Sequence, residues 1–320
     1  MTRLGYQMPS FNFPGVGPEG LFDAVIAQAR AVDRSGFDTV LLMDHFYQLP
    51  YSGQPDDYML ECYTALAALA RETSSVRLSA LVTGNTYRNP ALLAKTVTTL
   101  DVVSGGRAQL GIGAGWYELE HEAYGFEFGT FTDRFERLEE SLQIVIPMLR
   151  GERPTFDGER YQVRDAINEP RPLGRIPVMI GGSGERKTLR LVAQYADESN
   201  LTCGLEETGR KLDVLAAHCE AVGRDRSEIT VSQHVSVCIA PTHDQAVAEL
   251  EASIERGGRT GADAEMARAR TVHGDPDEVA AGLAAYLEAG VDGWTISATT
   301  NGHVPERLDL LGQTASKLLT

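Results

Sequence analysis

Asp44 and His45 stand directly after the apolar run at 40–43 in "VLLMDHF". An imidazole that titrates near neutral pH beside a carboxylate is raw material for proton transfer, provided both reach a cavity. By itself the pair has a plainer explanation, because strand ends are where chains return to water. Four other apolar runs end in a similar way: Thr83-Gly84-Asn85, Gly113-Ala114-Gly115-Trp116, Gly181-Gly182-Ser183-Gly184 and Thr202-Cys203-Gly204. Small residues let a backbone approach a ligand closely, and five such ends facing one mouth would form a pocket. Glycines that merely turn the chain between strand and helix are the competing explanation.

Other chemistries find less support. "GGSGERKT" at 181–188 has Lys187 and Thr188 in register with the phosphate loop GxxxxGK[ST], but Arg186 stands where the second glycine is required, which argues against a nucleoside triphosphatase. The glycine-rich turn, with Arg186, Lys187 and Arg190 behind it, is either a seat for a phosphate or a helix cap with a solvated basic face. Asp44, His45, His234 and His303 show neither HxH nor HExxH spacing, so no metal is expected. Ser183 lies one residue off the GxSxG pattern of serine hydrolases and is a weak nucleophile candidate.

The elements that must carry these residues alternate. Apolar runs at 3–9, 37–43, 76–83, 107–115, 176–182, 198–202, 228–240 and 291–297 read as strands. Amphipathic stretches at 20–36, 58–71, 89–104, 132–149, 185–195, 206–222, 244–254 and 276–289 read as helices. The polar, proline-rich segment at 151–175 interrupts the repeat after strand four and contains a hairpin-like Asp157-Gly158. The segment at 257–275, before the last helix, has no convincing period and reads as a mobile loop with room for a short helix. Eight strand–helix units predict one (β/α)8 TIM barrel over 1–320, with chemistry at the carboxyl ends of its strands. A Rossmann-like open sheet is the runner-up, but "PSFNFPG" follows strand one where GxGxxG would be required.

Composition limits the partners. The chain has 320 residues, 42% hydrophobic and 23% charged, with a formal net charge of −16. That charge argues against nucleic acid and anionic membrane surfaces while leaving small-molecule ligands open. Cys62, Cys203, Cys219 and Cys238 form no CxxC pair and read as reduced thiols of a cytoplasmic protein. No export signal and no run of membrane-spanning length is seen.

The stretches "RLGYQMPSF", "GFDTVLLMDHF", "SALVTGNTYRNPALLAKTVTTLDVVSGGRAQLGIGAGWYELEHEAYG" and "PVMIGGSGERKTLRLVAQYAD" together resemble the luciferase-like monooxygenase superfamily, in its branch of coenzyme F420-dependent oxidoreductases. The resemblance covers nearly the whole chain and is weakest at 257–274. It implies a deazaflavin cofactor and hydride transfer to or from a small organic substrate. It places Asp44 and His45 against the ring, with His45 as the group that polarises or protonates the substrate. A non-proline cis peptide at Ala80-Leu81 would back the ring, and Thr83 would hydrogen-bond it. Ala114 and Gly115 would flank it, and Gly181, Gly182, Thr202 and Gly204 would hold its phosphate or tail. A homodimer is implied as well.

One departure limits the inference. The sugar-phosphate dehydrogenases of the superfamily carry a glutamate general acid after the small-Gly pair of strand four, and this chain has Trp116 there. That argues against sugar-phosphate chemistry and for an apolar wall to the substrate pocket. Glu118, Glu120 and His121 follow closely, but in a loop alternation does not reveal which side chain turns inward. An FMN-dependent monooxygenase and a non-catalytic flavin binder are the alternatives.

Overall fold

The structure is a computed structural model and describes residues 1–50 and 52–319. In chain order its elements are β1 (Leu4–Met8), α1 (Pro18–Arg34), β2 (Thr39–Leu42), α2 (Cys62–Glu72), β3 (Arg77–Ala80), β4 (Thr83–Gly84), α3 (Pro90–Ser104), β5 (Leu110–Gly113), α4 (Glu118–Tyr124) and α5 (Phe131–Leu149). There follow β6 (Phe156–Asp157), β7 (Gln162–Val163), β8 (Val178–Gly181), α6 (Thr188–Tyr195), β9 (Glu198–Leu201), α7 (Leu205–Ala221), β10 (Thr230–Ile239), α8 (His243–Arg256) and α9 (Gly261–Ala269). The chain ends with β11 (Thr271–Gly274), α10 (Pro276–Glu288), β12 (Gly293–Ser297) and α11 (Pro305–Ser316).

All pairings in the main sheet are parallel, in the order β3-β2-β1-β12-β10-β9-β8-β5-β4. The ring closes where Leu78 of β3 bridges Ala108, with the Leu78 amide donating to the Arg107 carbonyl at 2.9 Å and the Gln109 amide donating to Leu78 at 3.0 Å. β3 and β4 are therefore two halves of one stave, and the eight expected strands form a (β/α)8 barrel. Each stave is covered by helices outside and side chains inside, which is why β2 carries the unbroken apolar run at 40–42 rather than an alternating one.

Helix boundaries follow local chemistry. Asn89 caps α3 by accepting from the Ala91 amide at 2.9 Å, Pro90 opens the helix, and Gly105 closes it at φ 72°. Thr130 with Asp133 and Asp275 with Glu278 form capping boxes on α5 and α10.

One irregular segment agrees with the sequence expectation and two others differ from it. The excursion at 151–175 contains the hairpin β6–β7, with Phe156 opposite Val163, as Asp157-Gly158 suggested. The supposed loop at 257–275 is ordered into α9 and β11, and β11 pairs with the upper half of β10 from Ser236 to Ile239. β10 is long enough to serve the barrel with its first residues and β11 with its last. Finally, "ELEHEAY" is the helix α4 rather than a loop.

The floor of the barrel is polar. Glu198 Oε2 accepts from the Thr2 amide at 3.0 Å and from Gln109 Nε2 at 2.7 Å, while Thr2 Oγ1 donates to Gln109 Oε1 at 3.0 Å. All four cysteines are free. Among the described residues no helix is long and apolar enough to cross a membrane.

Candidate active site

A cavity of about 260 Å³ opens at the carboxyl ends of the staves. Of the residues singled out in the sequence, Asp44, His45, Leu81, Thr83, Gly115, Trp116, Gly181, Gly182 and Thr202 line it. Ala80, Ala114 and Gly204 do not. Ala80 is buried behind the wall, and Gly204 caps α7. The cis peptide lies at Leu81-Val82, one residue later than Ala80-Leu81, so that Leu81 and Val82 both line the cavity.

Asp44 is a clamp. Its carboxylate receives Arg88 through both amino groups, at 2.6 and 2.9 Å, and the Gly84 amide at 3.0 Å. Burial works against the Arg88 charge, but the Asp44 carboxylate more than offsets it, and the guanidinium pKa is raised. Because β2 and the β4 turn are tied together by this contact, the backbone that presents His45 is fixed.

His45 is held by a residue that the sequence left undecided. Its Nδ1 lies 2.8 Å from Oε2 of Glu120, which is wholly buried. The Glu120 carboxylate also receives the Tyr87 hydroxyl at 2.7 Å and the amides of Tyr47, at 2.9 Å, and Phe46. Burial would raise the Glu120 pKa, but the His45 ring, the Tyr87 hydroxyl and the Tyr47 amide outweigh it, and the group is held below its ordinary value. An ionised carboxylate only accepts, so the His45 hydrogen sits on Nδ1 and Nε2 is the atom available to a ligand. The neighbouring His121 points elsewhere, with Nε2 2.6 Å from Thr86 Oγ1 and Nδ1 2.8 Å from the Tyr117 carbonyl.

Trp116 is 54% exposed at the mouth, stacked on Tyr117 at 5.1 Å and edge-on to His45 at 5.7 Å. Around Val82 glycine is required by sterics: a Cβ at Gly181 would lie 2.8 Å from Val82 Cγ1, and one at Gly113 would lie 2.8 Å from Val82 Cγ2. Gly115, at φ 80°, passes so close to Thr86 that a Cβ would lie 2.7 Å from its hydroxyl.

Gln7, Asn200 and His234 also line the cavity. Burial lowers the His234 pKa to about 4, so its ring is neutral. The sequence weighed His234 only as a metal ligand, and only the coarse alternation of β1 and β9 could have pointed to Gln7 and Asn200. A better signal existed for Glu120, since Tyr117, Glu120, His121 and Tyr124 follow the i, i+3, i+4, i+7 spacing of one helical face and Gly125 follows as a stop.

Two of the three cations of the basic turn, Lys187 and Arg190, are engaged within the protein, and Arg186 is exposed. Arg190 forms two bonds to Glu139, at 3.0 and 2.7 Å, and Lys187 lies over the Phe131 ring at 5.5 Å. Among the described residues no group of three or more metal-ligating side chains converges.

A parallel barrel with a histidine–carboxylate pair at its mouth and a glycine-lined recess beside it defines a ligand-binding barrel of the enzyme type. The sequence profile of the luciferase-like monooxygenase family matches residues 2–293, and the chain belongs to that family. Among curated proteins, the F420-dependent glucose-6-phosphate dehydrogenase of Microbacterium testaceum (strain StLB037) is 32% identical over 250 residues, covering 77% of this chain and 70% of that one. Among solved structures, an F420-dependent secondary alcohol dehydrogenase in complex with an F420-acetone adduct superposes with a TM-score of 0.79 at 19% identity, covering 100% of this chain and 99% of that one. EDTA monooxygenase from Chelativorans sp. BNC1 superposes with a TM-score of 0.82 at 19% identity, covering 99% and 93%. The two structural likenesses establish the fold.

Proposed function

We propose that this chain is an oxidoreductase that uses the deazaflavin coenzyme F420 and exchanges a hydride with a small organic substrate. The observation that carries the reading is His45, fixed by buried Glu120, on the same cavity as the Leu81-Val82 wall and the side-chain-free edges of Gly115, Gly181 and Gly182. The similarity to F420-dependent dehydrogenases supports the choice of cofactor. The residues fit such a group, because a flat ring needs a wall and a recess that a Cβ would fill, and both are present.

When bound, a deazaflavin supplies a two-electron hydride donor or acceptor, which no side chain provides. Leu81 and Val82 would wall such a ring, and Thr83, Thr202 and the Gly181-Gly182 turn, which line the same cavity, would offer it polar contacts. His45 Nε2 takes the proton from a substrate hydroxyl, or returns one to a carbonyl oxygen, while Glu120 keeps the ring in a single orientation. Asp44 holds the β4 turn through the Gly84 amide, and Trp116 screens the mouth from water.

Titrating the purified protein with F420 and with FMN, and following fluorescence quenching, tests the reading. Binding of F420 in preference to FMN by about tenfold or more is the expected result. A preference for FMN would move the chain to the monooxygenases, and failure to bind either would make it a non-catalytic member of its family.

A further inference from the structure

We propose that the substrate seated beside the cofactor is an uncharged alcohol or carbonyl compound, its polar end hydrogen-bonded by Gln7 and Asn200 and its apolar part against Trp116, and that phosphorylated sugars are excluded. This rests on the oxidoreductase reading and adds the substrate class.

The first support is the charge around the cavity. Among the described residues no lysine or arginine lines it. Its ionisable lining is Asp44, His45, Tyr87 and His234, and the Glu120 carboxylate stands directly behind His45. Arg88 is held by Asp44 and, at 2.8 Å, by Glu61. Arg134, behind Gly115, donates to the Gly115 and Gly129 carbonyls at 3.1 and 3.0 Å. The Gly182 amide is bonded to the Asn200 carbonyl at 2.9 Å. His234 stays neutral, so it offers no cation either. A phosphate dianion would thus enter a site whose carboxylates are already paired and whose lining offers it no counter-ion, which opposes its desolvation.

The second support is the orientation of two amides. Ser297 donates its hydroxyl hydrogen to Gln7 Oε1, leaving the Gln7 amide nitrogen without a partner among the described residues. Asn200 Nδ2 donates to Ser232 Oγ at 3.0 Å and Thr295 Oγ1 at 2.8 Å, leaving Asn200 Oδ1 as an unpartnered acceptor. His234 braces both sides of this arrangement, with Nε2 3.2 Å from Ser297 Oγ and Nδ1 3.2 Å from Thr295 Oγ1. The cavity therefore presents one fixed donor and one fixed acceptor, a pair that suits a neutral hydroxyl or carbonyl.

The test uses ligand-observed NMR on the F420-loaded chain, with cyclohexanol and glucose 6-phosphate as probes, repeated on the cofactor-free chain. Cyclohexanol is expected to bind at least about tenfold more tightly than glucose 6-phosphate. Equal or tighter binding of glucose 6-phosphate, or binding of neither probe, overturns the proposal. In Gln7→Met the affinity for cyclohexanol should fall by about tenfold while quenching of F420 is unchanged. Unchanged cyclohexanol affinity, or loss of F420 binding instead, refutes the assignment of Gln7 to the substrate. The comparison of the two probes needs no variant, so it decides the matter even if Gln7→Met fails to fold. Should F420 not bind, the cofactor reading fails alone, and the cofactor-free titrations still decide this one.

Discussion

The Nδ1 of His45 lies 2.8 Å from the carboxylate of Glu120, across a sequence separation of 75 residues. One group is half-buried at the cavity and the other wholly buried behind it, so the carboxylate acts on a ligand only through the imidazole. Glu120→Gln keeps the shape but replaces an obligate acceptor with an amide that can also donate, which releases the constraint on the ring. A fall in kcat of about 10–100-fold with F420 affinity retained is expected, as for other partners that orient a functional imidazole. The accompanying sign is a change in the His45 ring nitrogen signals by NMR. Unaltered signals together with unaltered kcat would remove Glu120 from the positioning role.

His45 itself is expected to matter for turnover and little for the cofactor. His45→Gln should lower kcat by about 10²–10⁴-fold, the usual contribution of a positioned acid or base. F420 quenching should change far less than that. If activity persists at the parental level, proton transfer at this site belongs to another group.

The buried pair Asp44–Arg88 supports the site from below. Removing the cation alone, in Arg88→Met, leaves Asp44 buried and unpaired and should destabilise the fold by about 3–5 kcal/mol. The double variant Asp44→Asn with Arg88→Met should recover part of that loss, because no charge is then stranded. Urea unfolding of Arg88→Met, of Asp44→Asn and of the double variant checks this, and additive losses would show that the two groups do not act as a pair.

Much of the architecture was legible because parallel staves are buried on both faces, so runs such as the one at 40–43 announce themselves by hydrophobicity alone. Asp44, His45, Thr83 and the glycine ends were legible for the same reason, as polar punctuation after such runs. What escaped has physical causes. α4 turns Glu120 and His121 inward, so its buried face is polar and carries no apolar stripe. β11 has four residues and pairs only with the end of β10, and a partner chosen by tertiary contact leaves little local pattern. Gln7, Asn200 and His234 point into a barrel that is polar inside, against the expectation that strand interiors are apolar.

The glycines around Val82 make a steric prediction. Gly181→Ala places a methyl group 2.8 Å from Val82 Cγ1, and overpacking of this kind costs about 1–3 kcal/mol. Val82→Ala removes the atoms that clash, so the double variant should be less destabilised than the sum of the single ones. Thermal unfolding gives the interaction energy, and strict additivity would mean that the backbone shifts to relieve the contact. F420 affinity should fall in Gly181→Ala, because the added methyl group narrows the recess.

At the opposite end of the barrel, Glu198 gives the fold a pH dependence of definite sign. Burial raises its pKa, and the Thr2 amide, the N-terminal charge and Gln109 reduce that effect without cancelling it. A carboxyl with a higher pKa in the folded state binds its proton more tightly there. Its contribution to stability is therefore greatest below the unfolded value and is lost as pH rises through the folded value. Glu198→Gln keeps an acceptor oxygen for Thr2 and Gln109 but cannot ionise. The stability of the variant relative to the parent should increase as pH rises from about 4 to about 8, starting from the ordinary glutamate range. Urea unfolding across that interval reads the difference directly. Two curves that run parallel would mean that Glu198 titrates alike in the folded and unfolded chains, and therefore that the polar floor holds an ionised carboxylate at neutral pH.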